Sequence, residues 1–457
     1  TRWQVSRASS LYWGLARRTE AEEALRAAAD DLGTGPTRAM TLLFDGHCPR
    51  ALDVARSLFE AAQVPVDARL WAYTAAVLAA AHMGHVDLAL TQADRGLRLA
   101  EAACGDSLLG AAHLRIARAC ALLFGGQLTQ ARAQADRGYR AAVAAGEHGL
   151  VAAWAGLRGM VGQIQGDLVV AAASLREAVA LCERHDPTGL RGYHLGVLAG
   201  VLAQSGDLDR ARSALDQADA SKRPIHRLYA PHVELNRARL AAAAGEPHRA
   251  IRGALRAAAI ATQGGQGCLE AFALYDAARY GAADRVRGRL DELAGAVDSE
   301  LVAAYAETTR ALVGGKAAGL EGAAARLEQL GALLAAAHAA MAASRAHRRA
   351  GRQRAADDAR EHALMLDLRC RGTGAPWRAI GDAAALTPRE CEIALLAAGR
   401  ASSADIARHL HLSVRTVNNH LHRAYAKLGV SGRAQLAAVF RNDLPTRRTT
   451  CHETPQS

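Results

Sequence analysis

Two copies of one short motif decide the fold of most of this chain: GDLVVA at residues 166–171 and GDLDRA at residues 206–211. In each copy a glycine ends an apolar run, Asp-Leu follows, and an alanine stands five positions after the glycine. The glycine lets the chain reverse direction between two helices, and the aspartate can cap the second helix. Each copy therefore predicts a pair of antiparallel helices joined by a tight turn.

The same spacing recurs at nine glycines, which stand 34 to 42 residues apart. Six clear copies pair a glycine with an alanine five positions later: Gly46 and Ala51, Gly84 and Ala89, Gly126 and Ala131, Gly166 and Ala171, Gly206 and Ala211, and Gly245 and Ala250. A second small residue follows at plus twelve in five copies: Gly96, Gly138, Ala178, Ala218 and Ala257. Looser copies continue at Gly281, Gly315 and Gly351. Small residues seven apart share a helix face, so the paired helix can approach closely there.

Such helix pairs cannot bury their apolar sides alone, so they stack into a superhelix with a concave inner surface. The pattern resembles tetratricopeptide (TPR) repeats, although its repeats are longer and mostly lack the Trp and Tyr landmarks of that family. We predict an all-α chain with a TPR-like α-solenoid over residues 1–369. A surface that binds a small-molecule or protein effector is favoured over a plain spacer, but the repeats do not locate the site.

A second pattern begins after a Gly- and Pro-containing stretch at residues 370–385, which we interpret as a linker. Residues 386–440 read LTPRECEIALLAAGRASSADIARHLHLSVRTVNNHLHRAYAKLGVSGRAQLAAVF. Capping signals predict helices from Thr387 to Gly399, from Ser402 or Ser403 to Leu410, from Ser413 to Leu428, and over residues 433–440. The short connection between the second and third helices is typical of a helix-turn-helix.

The third of these helices has a polar, basic outward face. Residues 413–427 contain no Asp or Glu, and residues 386–442 contain eight Arg or Lys against three Asp or Glu. A surface that binds DNA phosphates needs such an excess of positive charge, because each phosphate that it neutralises releases counterions and so favours binding. A DNA-binding function is therefore favoured over a three-helix unit that is merely rich in arginine.

The segments LTPRE, LAxG, DIA, LxLSxRTVxNHL and KLGVxxR resemble the DNA-binding domain of LuxR-type (LuxR/NarL/FixJ) transcription regulators. The resemblance implies a recognition helix at residues 413–427 and a DNA-binding domain over residues 386–442. We predict a disordered tail at 443–457. It implies base contacts by Asn418, Asn419 and His422, phosphate contacts by Arg415, Thr416, Arg423 and Lys427, and homodimer contacts by Leu436, Val439 and Phe440. Asparagine suits an adenine edge, so we expect at least one A·T pair in each half-site. Ser403 and Ala404 depart from the common Asn-Lys and remove an expected phosphate contact, and Ala424 replaces a larger aliphatic residue.

TPR-like repeats before a LuxR-type domain also resemble the C-terminal part of large ATP-binding LuxR-family regulators, the MalT-like group. Residues 11–25 look like the first repeat after the NTPase domain of that group, and the chain begins at Thr1 without a methionine. Two alternatives therefore stay open. In one, the chain is the sensing and DNA-binding half of an ATP-dependent regulator whose NTPase domain is missing here. In the other, it is a TPR-like interaction scaffold whose C-terminal helices only dimerise.

Other signals exclude several functions. No GxSxG or HExxH motif occurs, and the segment closest to a P-loop, Gly314-Gly315-Lys316, lacks the earlier glycine and is followed by alanine. We therefore expect no enzyme activity, no cofactor and no metal site. Eight cysteines without a CxxC motif, no signal peptide and no membrane span predict a cytoplasmic protein. The net charge of +11 adds little support for DNA binding, because arginine is abundant throughout the chain.

Together these patterns predict a bacterial, homodimeric, sequence-specific transcription regulator that binds double-stranded DNA under the control of an unknown effector.

Overall fold

The computed structural model describes residues 2–28, 32–103, 108–221, 224–374, 386–399 and 401–428, together with residues 430, 432, 433 and 436. Two units separate along the chain, Thr1–Trp377 and Arg378–Ser457. Every regular element in the described ranges is a helix, which confirms the all-α prediction. No described helix has the length and apolar character that crossing a bilayer requires.

The first unit is a row of antiparallel helix pairs. Helices α1 (Arg2–Ser9) and α2 (Arg18–Arg26) come first. Nine pairs follow in the described residues: α3 (Gly35–Phe44) and α4 (Cys48–Arg56), α5 (Val66–Met83) and α6 (Val86–Ala102), α7 (Leu108–Gly125) and α8 (Leu128–Ala144), α9 (His148–Gln165) and α10 (Leu168–Arg184), α11 (Arg191–Gln204) and α12 (Leu208–Asp219), α13 (Ala230–Ala243) and α14 (Pro247–Gln263), α15 (Gly267–Ala277) and α16 (Ala283–Ala296), α17 (Glu300–Gly314) and α18 (Ala317–Gln329), and α19 (Leu333–Arg349) and α20 (Gln353–Arg369). Short π-helical turns occupy Ser10–Gly14 and Ala278–Ala282, and a 3-10 turn occupies Leu32–Thr34.

The predicted turn glycines lie between the two helices of each pair. All nine have a positive φ, from 59° at Gly315 to 111° at Gly281, which is the left-handed region that glycine enters without steric cost. Asp167 and Asp207 cap the helices that follow, each accepting a backbone N–H at 3.3 Å. The six alanines at plus five are completely buried, as the close approach of paired helices requires.

The same glycines also meet a later part of the solenoid. A Cβ atom on Gly84 would lie 2.4 Å from Val297, and one on Gly126 would lie 2.9 Å from the backbone nitrogen of Leu301. Helices α5, α7 and α9 contact α15, α17 and α19 respectively, which are five pairs further along. Five helix pairs therefore complete one superhelical turn. Because the glycines between paired helices have no side chain, the following superhelical turn can pack directly against them.

A buried ionic cluster ties α13 to α15. Arg239 Nε donates to Asp276 Oδ2 at 2.8 Å, and Arg279 Nε donates to Asp276 Oδ1 at 3.1 Å. Burial alone would raise the pKa of Asp276, but the two guanidinium groups lower it overall. The carboxylate is therefore ionised within the solenoid core.

The start of the predicted linker packs on the solenoid. The N–H of Arg371 donates to the carbonyl of Gly166 at 2.9 Å, and the N–H of Gly374 donates to the carbonyl of Gln204 at 3.0 Å. Residues 375–385, which complete the predicted linker, and the predicted tail at 443–457 lie outside the described residues.

The second unit contains α21 (Pro388–Ala398), α22 (Ser403–His409) and α23 (Val414–Leu428). Thr387 and Glu390 form the predicted capping box at the start of α21. Ser402, one of the two serines that the sequence offered, is the N-cap of α22. The fourth predicted helix, at residues 433–440, falls mostly outside the described residues.

Candidate nucleic-acid interface

A four-residue connection at 410–413 joins α22 to α23. His411 has φ of 53°, and the N–H of Leu412 donates to the carbonyl of Ala407 at 2.9 Å. Ser413 Oγ accepts the N–H of Thr416 at 3.0 Å, so it caps α23 as predicted. The geometry is that of a helix-turn-helix.

One hydrophobic core holds the three helices in place. Ile393 of α21 and Ile406 of α22 pack with Val417, Leu421 and Ala424 of α23, and each of these side chains is at most 3% exposed. Ala424 is completely buried, so the small side chain at this position still closes the core. The opposite face of α23 is consequently turned to solvent.

Most of the predicted DNA-contacting side chains lie on that exposed face of α23. Arg415, Asn418, Asn419, His422 and Arg423 are all exposed. The first four follow the spacing i, i+3, i+4 and i+7, which places them on one side of a helix.

The two remaining predicted phosphate contacts differ from these. Thr416 is half-buried, and its hydroxyl lies 2.8 Å from that of Ser413 within the helix cap. The Lys427 side chain lies outside the described residues.

A hydrogen-bond relay that the sequence did not reveal positions Asn418. Arg433 Nη2 donates to Ser403 Oγ at 2.7 Å, and Ser403 Oγ donates to Asn418 Oδ1 at 2.7 Å. Arg433 also contacts the carbonyl of Ala401. Because Ser403 of α22 holds the Asn418 side-chain carbonyl, the amide N–H groups of Asn418 have a fixed orientation on the exposed face of α23. Ser403, which the sequence marked as a candidate helix cap and as the loss of a phosphate contact, therefore holds the Asn418 side chain in place.

The acidic side chains that the structure describes in this unit have partners outside α23. Ser402 Oγ donates to Asp405 at 2.6 Å, and the hydrogen bonds from Ser402 lower the pKa of the Asp405 carboxyl. Glu390 belongs to the capping box of α21, and Glu392 pairs with Arg389 at 2.6 Å. The described acidic side chains therefore leave the cationic character of α23 intact.

One predicted dimer residue lies in the interior of its own unit. Leu436 is completely buried in the core that α21, α22 and α23 share, and its N–H donates to the carbonyl of Gly432 at 2.9 Å. Its side chain packs in the core of its own unit, and the predicted role of Leu436 in a homodimer contact stays a prediction. Val439 and Phe440 lie outside the described residues.

Comparison with known proteins identifies the second unit. Residues 384–440 match the family described as bacterial regulatory proteins, luxR family. Proteins named as HTH-type transcriptional regulators in Mycobacterium bovis and in two Mycobacterium tuberculosis strains are 42% identical over 66 residues. That match covers 14% of this chain and 8% of each relative.

The solenoid has a structural neighbour of similar extent. The crystal structure of a Rap protein complexed with competence and sporulation factor aligns with a TM-score of 0.55 and 11% identity, and it covers 75% of this chain and 98% of that chain. At this identity the likeness concerns the fold alone, and it confirms the TPR-like solenoid. The resemblance to MalT-like regulators rests on domain order and residues 11–25, and it stays a prediction. The chain thus carries a LuxR-family helix-turn-helix domain at residues 384–440 together with a TPR-like α-solenoid.

Proposed function

We propose that this chain is a sequence-specific DNA-binding transcriptional regulator whose α23 enters the major groove. The observation that carries the proposal is the exposed face of α23, where two arginines, two asparagines and a histidine lie together in a LuxR-family domain. Asparagine amides can pair with base edges, and guanidinium groups bind phosphates.

Within this proposal, the side chains of α23 have two kinds of role. Asn418, Asn419 and His422 reach base edges, since they occupy the middle of the exposed face. Arg415 and Arg423 hold phosphates, together with Thr416 and Lys427. Base contacts specify the sequence, whereas phosphate contacts fix register and supply affinity without sequence information.

The two roles predict different responses to substitution. Asn418→Ala should lose discrimination at one base pair of the site, worth about 1–3 kcal/mol, with little change on other DNA. Arg423→Ala should weaken binding to all sequences alike and reduce the salt slope by about one unit. Binding of both variants to a set of single-base operator variants, at two salt concentrations, measures these effects. Equal loss on every operator variant for Asn418→Ala would refute the base-contact assignment.

We further propose that the protein binds DNA as a homodimer, through Val439 and Phe440. Two symmetry-related copies of α23 would then meet half-sites about 10 bp apart, one turn of the duplex. A selected site without two-fold symmetry would contradict this arrangement.

The solenoid is proposed to be the sensing region. A Rap protein of similar fold was crystallised with competence and sporulation factor, so a solenoid of this kind can accommodate a bound effector. Stacked helix pairs also present more concave surface than a spacer requires. A change in DNA affinity upon effector binding is the measurement that tests this role.

A further inference from the structure

The first helices of successive pairs surround a cavity of about 730 Å³. Its walls come from α1, α3, α5, α7, α9 and α11, together with residues 182–190 and Tyr229. On α5 the lining positions Ala68, Trp71, Thr74 and Leu78 follow helical spacing, so one side of that helix faces the cavity. The volume falls within the range of about 300–1,000 Å³ that is typical of small-molecule sites.

The cavity walls carry aromatic rings that the protein leaves only half-buried. Trp13 packs edge-on against Phe44 with ring centroids 4.7 Å apart, and Trp71 lies 4.7 Å from the ring of His113. Trp13 and Trp71 are each partly exposed although both line the cavity. Large apolar rings at a concave surface are the anchors that small-molecule sites commonly use.

The charge of the lining contrasts with that of the chain. The sequence contains 56 Lys and Arg, yet none of the described residues that line the cavity is Lys or Arg. The acidic residues among them are Glu147, which is exposed, and Asp186, which accepts the N–H groups of Leu190 and Arg191. Burial lowers the pKa of His194 to about 4, so that ring contributes no positive charge at neutral pH. The described lining also includes His113 and His185, but it offers an anion no Lys or Arg side chain.

The lining also argues against an extended peptide. A bound peptide presents backbone N–H and C=O groups that need partners, because a buried group without one is costly. Asn and Gln side chains, which can satisfy both groups at once, are absent from the described lining residues. The walls instead offer rings, aliphatic side chains and a few hydroxyls.

We propose that this cavity binds a neutral or cationic small molecule with an aromatic ring system, which stacks on Trp13 and Trp71 beside the carboxylate of Glu147. The inference deepens the proposed sensing role of the solenoid, because it names the site and the chemical class of the effector. The site itself is testable without DNA.

Two fluorescent probes that differ by one anionic group provide the test. N-phenyl-1-naphthylamine is neutral, and 8-anilinonaphthalene-1-sulfonate carries the same rings with a sulfonate. The full chain should bind the neutral probe saturably at one site, with transfer of tryptophan fluorescence to the probe. The sulfonate should bind about tenfold more weakly, since it meets the Glu147 carboxylate and finds no Lys or Arg among the described lining residues. Equal affinity for the two probes would overturn the proposed charge preference.

Substitutions then locate the site. Gly149 lines the cavity, is helical and exposed, and a Cβ atom there meets no atom within 4 Å, so Gly149→Phe should fill the cavity without disturbing the fold. Gly288 on α16 is also helical, exposed and free of neighbours within 4 Å, so Gly288→Phe is the matched control. We expect at least about a tenfold loss of neutral-probe affinity in the first variant and no change in the second.

A charge reversal checks the same site independently. Glu147→Arg should raise sulfonate affinity at least about fivefold while leaving the neutral probe nearly unaffected. Unchanged probe binding in Gly149→Phe, or an unchanged affinity ratio in Glu147→Arg, would show that the probes bind elsewhere and would overturn the proposal. Selection of DNA sequences with the same protein preparations tests the helix-turn-helix domain separately. Failure of the cavity proposal can therefore be distinguished from failure of the proposed DNA-binding function.

Discussion

The Ser403 relay makes a sharp prediction about how DNA sequence is read. Ser403→Ala removes the hydroxyl that joins Arg433 to Asn418 but leaves the fold intact, because Ser402 caps α22 and alanine is favourable inside a helix. Asn418 would keep its position on α23 and lose the bond that orients its amide. The variant should therefore bind DNA with reduced sequence preference and nearly unchanged general affinity.

Ser403→Ala removes two hydrogen bonds, and the magnitude for base discrimination follows from the one to Asn418. A neutral hydrogen bond contributes about 0.5–1.5 kcal/mol net, and this one lies at a surface that DNA would cover. We expect discrimination at the base pair that Asn418 contacts to fall by about 1 kcal/mol, roughly fivefold. That is smaller than the about 1–3 kcal/mol expected for Asn418→Ala, since the amide itself remains.

A double-mutant cycle is the assay. Binding of wild type, Ser403→Ala, Asn418→Ala and the double variant to matched and mismatched operators gives the coupling energy directly. In the Asn418→Ala background, Ser403→Ala should have no further effect on discrimination. Ser402→Ala is the control, since it should cost about 1 kcal/mol of stability through the lost cap without changing base preference. Additive effects of Ser403→Ala and Asn418→Ala would refute the relay.

Three further predictions concern the solenoid. Gly351→Ala should lower the free energy of unfolding by about 1–2 kcal/mol, because of the positive φ alone. Gly126→Ala should lower it by about 1–3 kcal/mol more, because its Cβ meets the backbone of the next superhelical turn. Urea midpoints compare the two variants, and equal losses would contradict the packing of successive superhelical turns. Asp276→Ala should destabilise by about 3–5 kcal/mol, since two arginines lose their buried partner, and a change below 1 kcal/mol in the same assay would contradict this. Burial lowers the pKa values of His82 and His194 to about 4, so both rings stay neutral in the folded protein at a pH where they are protonated in the unfolded chain. The free energy of unfolding should therefore be highest above about pH 6.5 and fall by about 3 kcal/mol per histidine as the pH drops towards 4. A urea midpoint that does not change between pH 7.5 and 4.5 would contradict this prediction.

Local signals in the sequence predict the helix pairs and their turns well. The turn glycines and the aspartates after them act on residues within one helical turn, so their effect can be read without knowing the fold. A further set of glycines with positive φ, which includes Gly146, Gly265 and Gly331, ends second helices and was not predicted. Gly146 and Gly265 do not follow the spacing to a buried alanine that marks the first set, because Val151 and Glu270 stand five positions later. Gly331 does follow it, since Ala336 is completely buried.

Contacts between distant parts of the chain could not be predicted in the same way. Gly126 and Leu301 meet because five helix pairs complete a superhelical turn, a property of many small rotations summed along the solenoid. The cavity likewise collects Trp13, Trp71 and Glu147 from separate pairs. No single stretch of sequence contains the spacing that would reveal these neighbours.

The candidate DNA-reading face was predictable because it depends on one helix. Spacing and capping within residues 413–428 place Arg415, Asn418 and Asn419 outward, and the structure has them exposed. The Ser403 relay and the burial of Leu436 depend on how α22 and residues after α23 pack together. Sequence patterns within one element do not carry that information.

The most direct test of the central claim is selection from a randomised duplex DNA pool by the full chain, at two salt concentrations, with Asn418→Ala in parallel. The account predicts enrichment of a two-fold-symmetric site with half-sites about 10 bp apart, lower affinity at the higher salt, and relaxed preference at one base pair per half-site in the variant. Recovery of no preferred sequence by the wild-type chain, or the same sequence profile for Asn418→Ala, would contradict it.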